Sequence, residues 1–133
     1  PRMAKRVFKT KTFARWAKKV IPDALLCQAA REIERGEFEA DLGQGICEKR
    51  IALAGQGKSG GTRSLVAKLH KSAIFFLAGR EKSDPGTDFS LKEEEAEKIV
   101  GKGLQAASIE KLETMKTNGV LMEICHVQKN QCE

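Results

Sequence analysis

The sequence predicts an α+β fold in which two N-terminal helices pack on one face of an antiparallel sheet of about four strands, with a further helix toward the C-terminus. Three observations predict it. Helical spacing of apolar residues dominates up to Ile33, and the period then changes to that of strands near residue 46. Strand-like runs follow one another between residues 46 and 79 with no helix-length segment between them, so neighbours pair antiparallel, because a parallel pair needs a crossover of about a dozen residues or more. A helix signal returns at Ser90, where Glu93 completes a capping box.

Residues 4–9, with Val7 between basic residues, read as a short first strand. From Thr12, Phe13, Trp16, Ala17 and Val20 recur at helical spacing, and Pro22 interrupts them where a second helix can begin. Leu25, Leu26, Ala29 and Ile33 mark one face of that helix, which Gly36 can end. Trp16 is expected to cover the sheet. ICEKRIAL (46–53), TRSLVAKLH (62–70) and AIFFLAG (73–79) read as strands, the last as a central one because it is continuously apolar. EKSDPGTD (81–88) is a loop by its Pro85-Gly86 pair. Ala96, Ile99, Val100 and Leu104 are expected on the buried side of the third helix, residues 108–116 as a short helix, and VLMEICHV (120–127) as an edge strand.

The 133 residues amount to one domain, placed at 3–107 with 108–133 as a helix and strand extension of it; Pro1-Arg2 ahead of Met3 reads as a cloning remnant. No apolar run approaches the length of a membrane span, and no signal peptide is visible, so a cytoplasmic protein is expected. The four cysteines form no CxxC pair, and reduced thiols are the expected state. His70 and His126 are expected at a strand end and in the tail rather than as ligands. Net charge of +6 favours a polyanionic partner.

The stretch IALAGQGKSGGTR (51–63) matches a loosened phosphate-binding loop around Gly57-Lys58-Ser59. Such a loop must open a helix, however, and here two more glycines and a strand pattern follow. It is instead a turn between antiparallel strands that gathers cations. Lys49 and Arg50 lie before it, Lys58 at its tip, Arg63 and Lys68 after it, and Arg80 and Lys82 where the next strand ends. These can converge on one side of the sheet as a phosphate-binding surface.

With the element order β-α-α-β-β-β-α, the segments RIALAGQGKSGGTR and FFLAGREKSD resemble the RelE/HigB group of bacterial toxin–antitoxin toxins, over about residues 5–105. The resemblance implies a RelE-like fold and a metal-independent, ribosome-dependent endoribonuclease that cuts mRNA and needs no cofactor. It implies as partners the ribosome, mRNA and a cognate antitoxin, a helix-turn-helix DNA-binding protein in hetero-oligomer with the toxin. It places Arg63 on the scissile phosphate, Arg80 with Lys82 at the next strand end, and Arg50 on the strand before the loop. Ala52 falls where the family has a second basic residue, and Lys58 is the candidate replacement. Several relatives stack a base on a tyrosine; this chain has none, and Phe89 is the nearest aromatic. The catalytic set expected is therefore Arg63, Arg80, Lys58 and Lys82, with Lys49, Arg50, Lys68 and Phe89 contacting RNA. His70, Glu48 and Glu81 are further candidates for proton transfer. The alternatives are a gyrase poison of the related ParE type, or a non-catalytic basic binding protein.

Overall fold

The computed structural model describes residues 4–53, 57–81 and 88–129, and of residues 57–60 the backbone alone. The order is β1 (Ala4–Thr10), α1 (Lys11–Ala17), α2 (Asp23–Glu34), β2 (Ala40–Gly43), β3 (Ile46–Leu53), β4 (Gly57–Ala67), β5 (Ala73–Glu81), α3 (Leu91–Gln105), α4 (Ile109–Thr117) and β6 (Leu121–Gln128). The strand beginning at Gly57 answers the question of the glycine-rich stretch: no helix starts at Lys58.

The sheet is six-stranded and mixed, in the order β2-β3-β4-β5-β1-β6, which corrects the expected antiparallel sheet of four. β1 pairs parallel to β5, with Val7 opposite Ile74, and antiparallel to β6 on its other side. Period identifies β1 as a strand but not its neighbour, and the chain reaches the parallel partner β5 only after passing through α1, α2 and the three strands β2 to β4. β2 was not expected, since the four residues ADLG are too short a run to establish a strand period. It forms because Gly43, Gln44 and Gly45 all take positive φ and close a hairpin onto β3.

Alternation along β3 divides the sheet into two faces. Cys47 and Ile51 join Val66, Ile74 and Phe76 beneath Phe13 and Ala17 of α1 and Leu26, Ala30 and Ile33 of α2. Ile46 joins Leu65, Ala67, Phe75 and Leu77 beneath Leu104 of α3, Leu112 of α4 and Phe89. Ser90 caps α3 through the predicted box with Glu93, and Ser108 caps α4. Helix α2 ends where Gly36 turns to φ 82°. Ala96, Ile99 and Val100, expected to be buried, are exposed, because Gly101 and Leu104 are the residues of α3 that meet the sheet. No described helix is long and apolar enough to cross a membrane.

Cys27 of α2 and Cys125 of β6 form a disulfide, which corrects the expectation of four free thiols. Cys47 stays free and buried, and burial pushes its thiol up to about 12, so it is a core residue rather than a nucleophile.

Gly79, next to Arg80, lies under the ring of Trp16, where a Cβ would overlap the indole. Gly79→Ala is therefore expected to destabilise the fold by about 1–3 kcal/mol through overpacking. Denaturant titration checks this, and an unchanged midpoint would mean that Trp16 has room to move.

Candidate active site

The site is built by strand register. Arg50 of β3 stands opposite Arg63 of β4, and Arg63 opposite Arg80 of β5. Residues paired in this way project from the same face, so the three guanidinium groups form a row across adjacent strands about 5 Å apart. The row continues the face that buries Ile46, Leu65 and Phe75, at the strand ends where polar residues replace apolar ones.

Three like charges side by side repel, and two carboxylates offset the charge of the middle one. Arg63 Nη1 donates to Glu48 Oε2 at 2.7 Å and to Asp88 Oδ2 at 3.1 Å. Arg80 Nη1 donates to the Asp88 carbonyl at 2.8 Å, with its guanidinium carbon 5.9 Å from the centre of the Phe89 ring. Asp88 is held in turn, since its Oδ1 accepts from Phe89 N at 2.8 Å and Phe89 is only 7% exposed. The core thus anchors the segment that orients both arginines. The Arg50 side chain has no partner among the described residues. Glu39 Oε1 accepts from Arg50 N at 2.6 Å, which leaves the Arg50 guanidinium itself to meet a phosphodiester.

Glu48 lies two residues before Arg50 on the same face of β3 and is 5% exposed. Burial raises its pKa, while the hydrogen bond from Arg63 opposes the rise and the nearby Asp88 carboxylate adds to it. It is the carboxylate closest to the arginine row that is also buried. The sequence offered Glu48 only by its proximity, and Asp88 was missed. The one available signal for Asp88 was its place just ahead of the Ser90 cap.

The other expected site residues separate. Lys49 points to the opposite face, 2% exposed, where Nζ meets Glu32 Oε1 at 2.8 Å and donates to the Glu37 carbonyl at 2.8 Å. It ties β3 to α2 and is not in the basic row, because adjacent strand residues face opposite ways. Lys68 is also apart: its Nζ lies 5.1 Å from the centre of the Phe38 ring and 3.5 Å from Asp41 Oδ2. Phe89 is a core residue rather than an exposed stacking platform. Glu81 is in register with Thr62, one position off the row, so it takes the other face. His70 is buried, with Nε2 2.9 Å from the Ala107 carbonyl and Nδ1 accepting from Ser72 N at 2.9 Å. That pairing makes it a brace between the β4–β5 turn and the α3–α4 link. Lys82 lies outside the described residues, as does the Lys58 side chain.

The family model for the RelE toxin of the RelE/RelB toxin–antitoxin system matches residues 5–124. The chain belongs to the RelE toxin family. The matched span runs from β1 into β6 and includes all of β3, β4 and β5, which carry the arginine row. As a RelE-family toxin, the protein has a cognate antitoxin for a partner. A search of curated proteins finds no match.

Proposed function

We propose that this RelE-family toxin is a metal-independent endoribonuclease that cuts mRNA on the ribosome and so arrests translation. The observation that carries the reading is the in-register row Arg50–Arg63–Arg80 with Glu48 hydrogen-bonded to its middle member. In this reaction the 2′-hydroxyl attacks the adjacent phosphorus. Glu48 takes the hydroxyl proton, and Arg63 and Arg80 hold the phosphate oxygens as charge builds on them. Arginine stays protonated, so it clamps rather than moves protons. Lys58 and Lys82 remain candidates for protonating the leaving 5′-oxygen, and Arg50 for holding a neighbouring phosphate. The ribosome supplies the orientation that this sparse set lacks, an effect that can reach several kcal/mol.

The activity places the protein in the cytoplasm, where the antitoxin, a helix-turn-helix protein with an acidic or amphipathic segment, covers the arginine row. The deciding experiment is in vitro translation with mapping of mRNA 5′ ends. Cuts in register with codons are the expected result. Intact mRNA, with supercoiling defects in a gyrase assay, would replace this reading with that of a gyrase poison.

Glu48→Gln is expected to lower cleavage by about 10²- to 10⁴-fold, the range for losing a general base, while RNA affinity holds. A raised pKa means that the base is lost as pH falls through that value, so the wild-type rate should drop on the acid side. Rates of the wild type and of Glu48→Gln measured across pH check this. An acid limb that persists in the variant assigns the proton to another group.

A further inference from the structure

A basic concavity of about 630 Å³, open to solvent, lies on the α1 side of the sheet, bordered by α1, the end of β1, the start of α2 and Met122 of β6. Lys11, Arg15 and Lys18 line it at helical spacing, and each is exposed with no partner among the described residues. Lys9 also lines it but is engaged with Asp23 at 2.7 Å, the only carboxylate among the lining residues. Positions three and four apart on a helix stand about 5–6 Å from each other, so the three free cations form a ladder along one face. Met122, 41% exposed, supplies an apolar surface beside them. Free cations beside an exposed apolar side chain suit a nucleotide strand, with phosphates on the ladder and a sugar or base against the methionine.

The position matters as much as the composition. β1 runs parallel to β5, and Thr10 Oγ1 donates to the Leu77 carbonyl at 3.3 Å. Helix α1 therefore begins at the end of the sheet toward which β5 carries Arg80, and its Trp16 packs on Gly79 beside that arginine. The two basic surfaces border the same end of the sheet from opposite faces. Cations spaced along α1 match the phosphates that recur along a nucleotide strand, and the ribosome of the proposed function supplies that polyanion as RNA.

We propose that the Lys11–Arg15–Lys18 cavity is a docking site for the sugar–phosphate backbone of ribosomal RNA, separate from the arginine row that takes the scissile mRNA. The proposal rests on the ribosome being the target, and its test reads binding rather than cleavage so that the two can fail separately. Equilibrium binding of the full chain to ribosomes free of mRNA is measured at several salt concentrations. The triple variant Lys11→Gln/Arg15→Gln/Lys18→Gln is compared with Lys71→Gln/Lys102→Gln/Lys111→Gln, which removes the same charge at exposed positions elsewhere. The first variant is expected to bind at least about 10-fold more weakly at 0.1 M salt and to lower the slope of log K against log salt by about 2, from roughly 0.7 per phosphate contact. Affinity for a short single-stranded RNA and the melting temperature should change little. Equal losses in the two variants would show charge alone and overturn the site. So would unchanged ribosome affinity, a loss confined to the free RNA, a loss confined to antitoxin binding, or a wild-type chain that does not bind ribosomes without mRNA. Codon-positioned cleavage by the wild type would leave the proposed function standing in each of these cases.

Discussion

Arg63→Ala is expected to lower mRNA cleavage by roughly 10²- to 10³-fold, the scale of removing one preorganised donor from a developing negative charge. Arg63 is the middle member of the row, in register with an arginine on each side and bonded to both Glu48 and Asp88. Sequence alone treats it as an exposed strand residue of little consequence for folding. Its side chain is only 27% exposed, however, and its partner Glu48 is buried, so truncation strands a carboxylate in the protein. The expected loss of stability is therefore about 1–3 kcal/mol rather than a fraction of one. Burial already raises the pKa of Glu48, so part of this loss is relieved by protonation. Arg63→Lys separates the two effects: it keeps a cation beside Glu48 but gives up the planar fork that grips two phosphate oxygens. It should melt near the wild type and still cleave poorly. Lys71→Ala, exposed on the β4–β5 turn, is the control for charge and should cleave normally. Growth arrest and mRNA cleavage after induction, with melting temperature alongside, check all three. Full toxicity of Arg63→Ala would remove the arginine row from the mechanism.

Reducing the Cys27–Cys125 disulfide is expected to be the largest single stability change short of a core deletion. The bond joins residues 98 apart in sequence, and closing a loop of that length restricts the unfolded chain by about 4–5 kcal/mol in the chain-entropy account, with about 2–4 kcal/mol typical of measurement. For a chain of this size that is a fall in melting temperature of about 10 °C. The bond fastens α2 to β6, the edge strand beyond β1, so loosening should begin at that edge of the sheet rather than at the arginine row. Melting with and without dithiothreitol checks it, with Cys27→Ser/Cys125→Ser as the variant that should ignore the reductant. An identical melting curve in both conditions would show that the bond does not form in solution. In a reducing cytosol the dithiol form is favoured. Cys27 is only 7% exposed, which slows attack on the bond once it is made.

Much of the fold was legible in local pattern. The strands at 46–53 and 73–79, the Gly36 stop and the Ser90–Glu93 box could be read because each depends on residues within a few positions of one another. Arg50, Arg63 and Arg80 were legible as a group, because antiparallel strands joined by short connections bring their adjoining ends together. Lys49 was misassigned with them because a cluster in sequence ignores the alternation that sends neighbours to opposite faces. Phe89 was misread because nothing local distinguishes an exposed aromatic from one that plugs a core.

By itself the sequence determined the family, the character of most elements and the basic end of the central strands, since period, caps and charge are local properties of the chain. Tertiary structure alone decided that β1 lies between β5 and β6, that Cys27 meets Cys125, and that Asp88 reaches back to hold two arginines. Each of these is a contact between residues far apart in sequence or separated by a loop. Its geometry comes from how whole layers pack, because burial is non-directional and selects partners only once the layers have met.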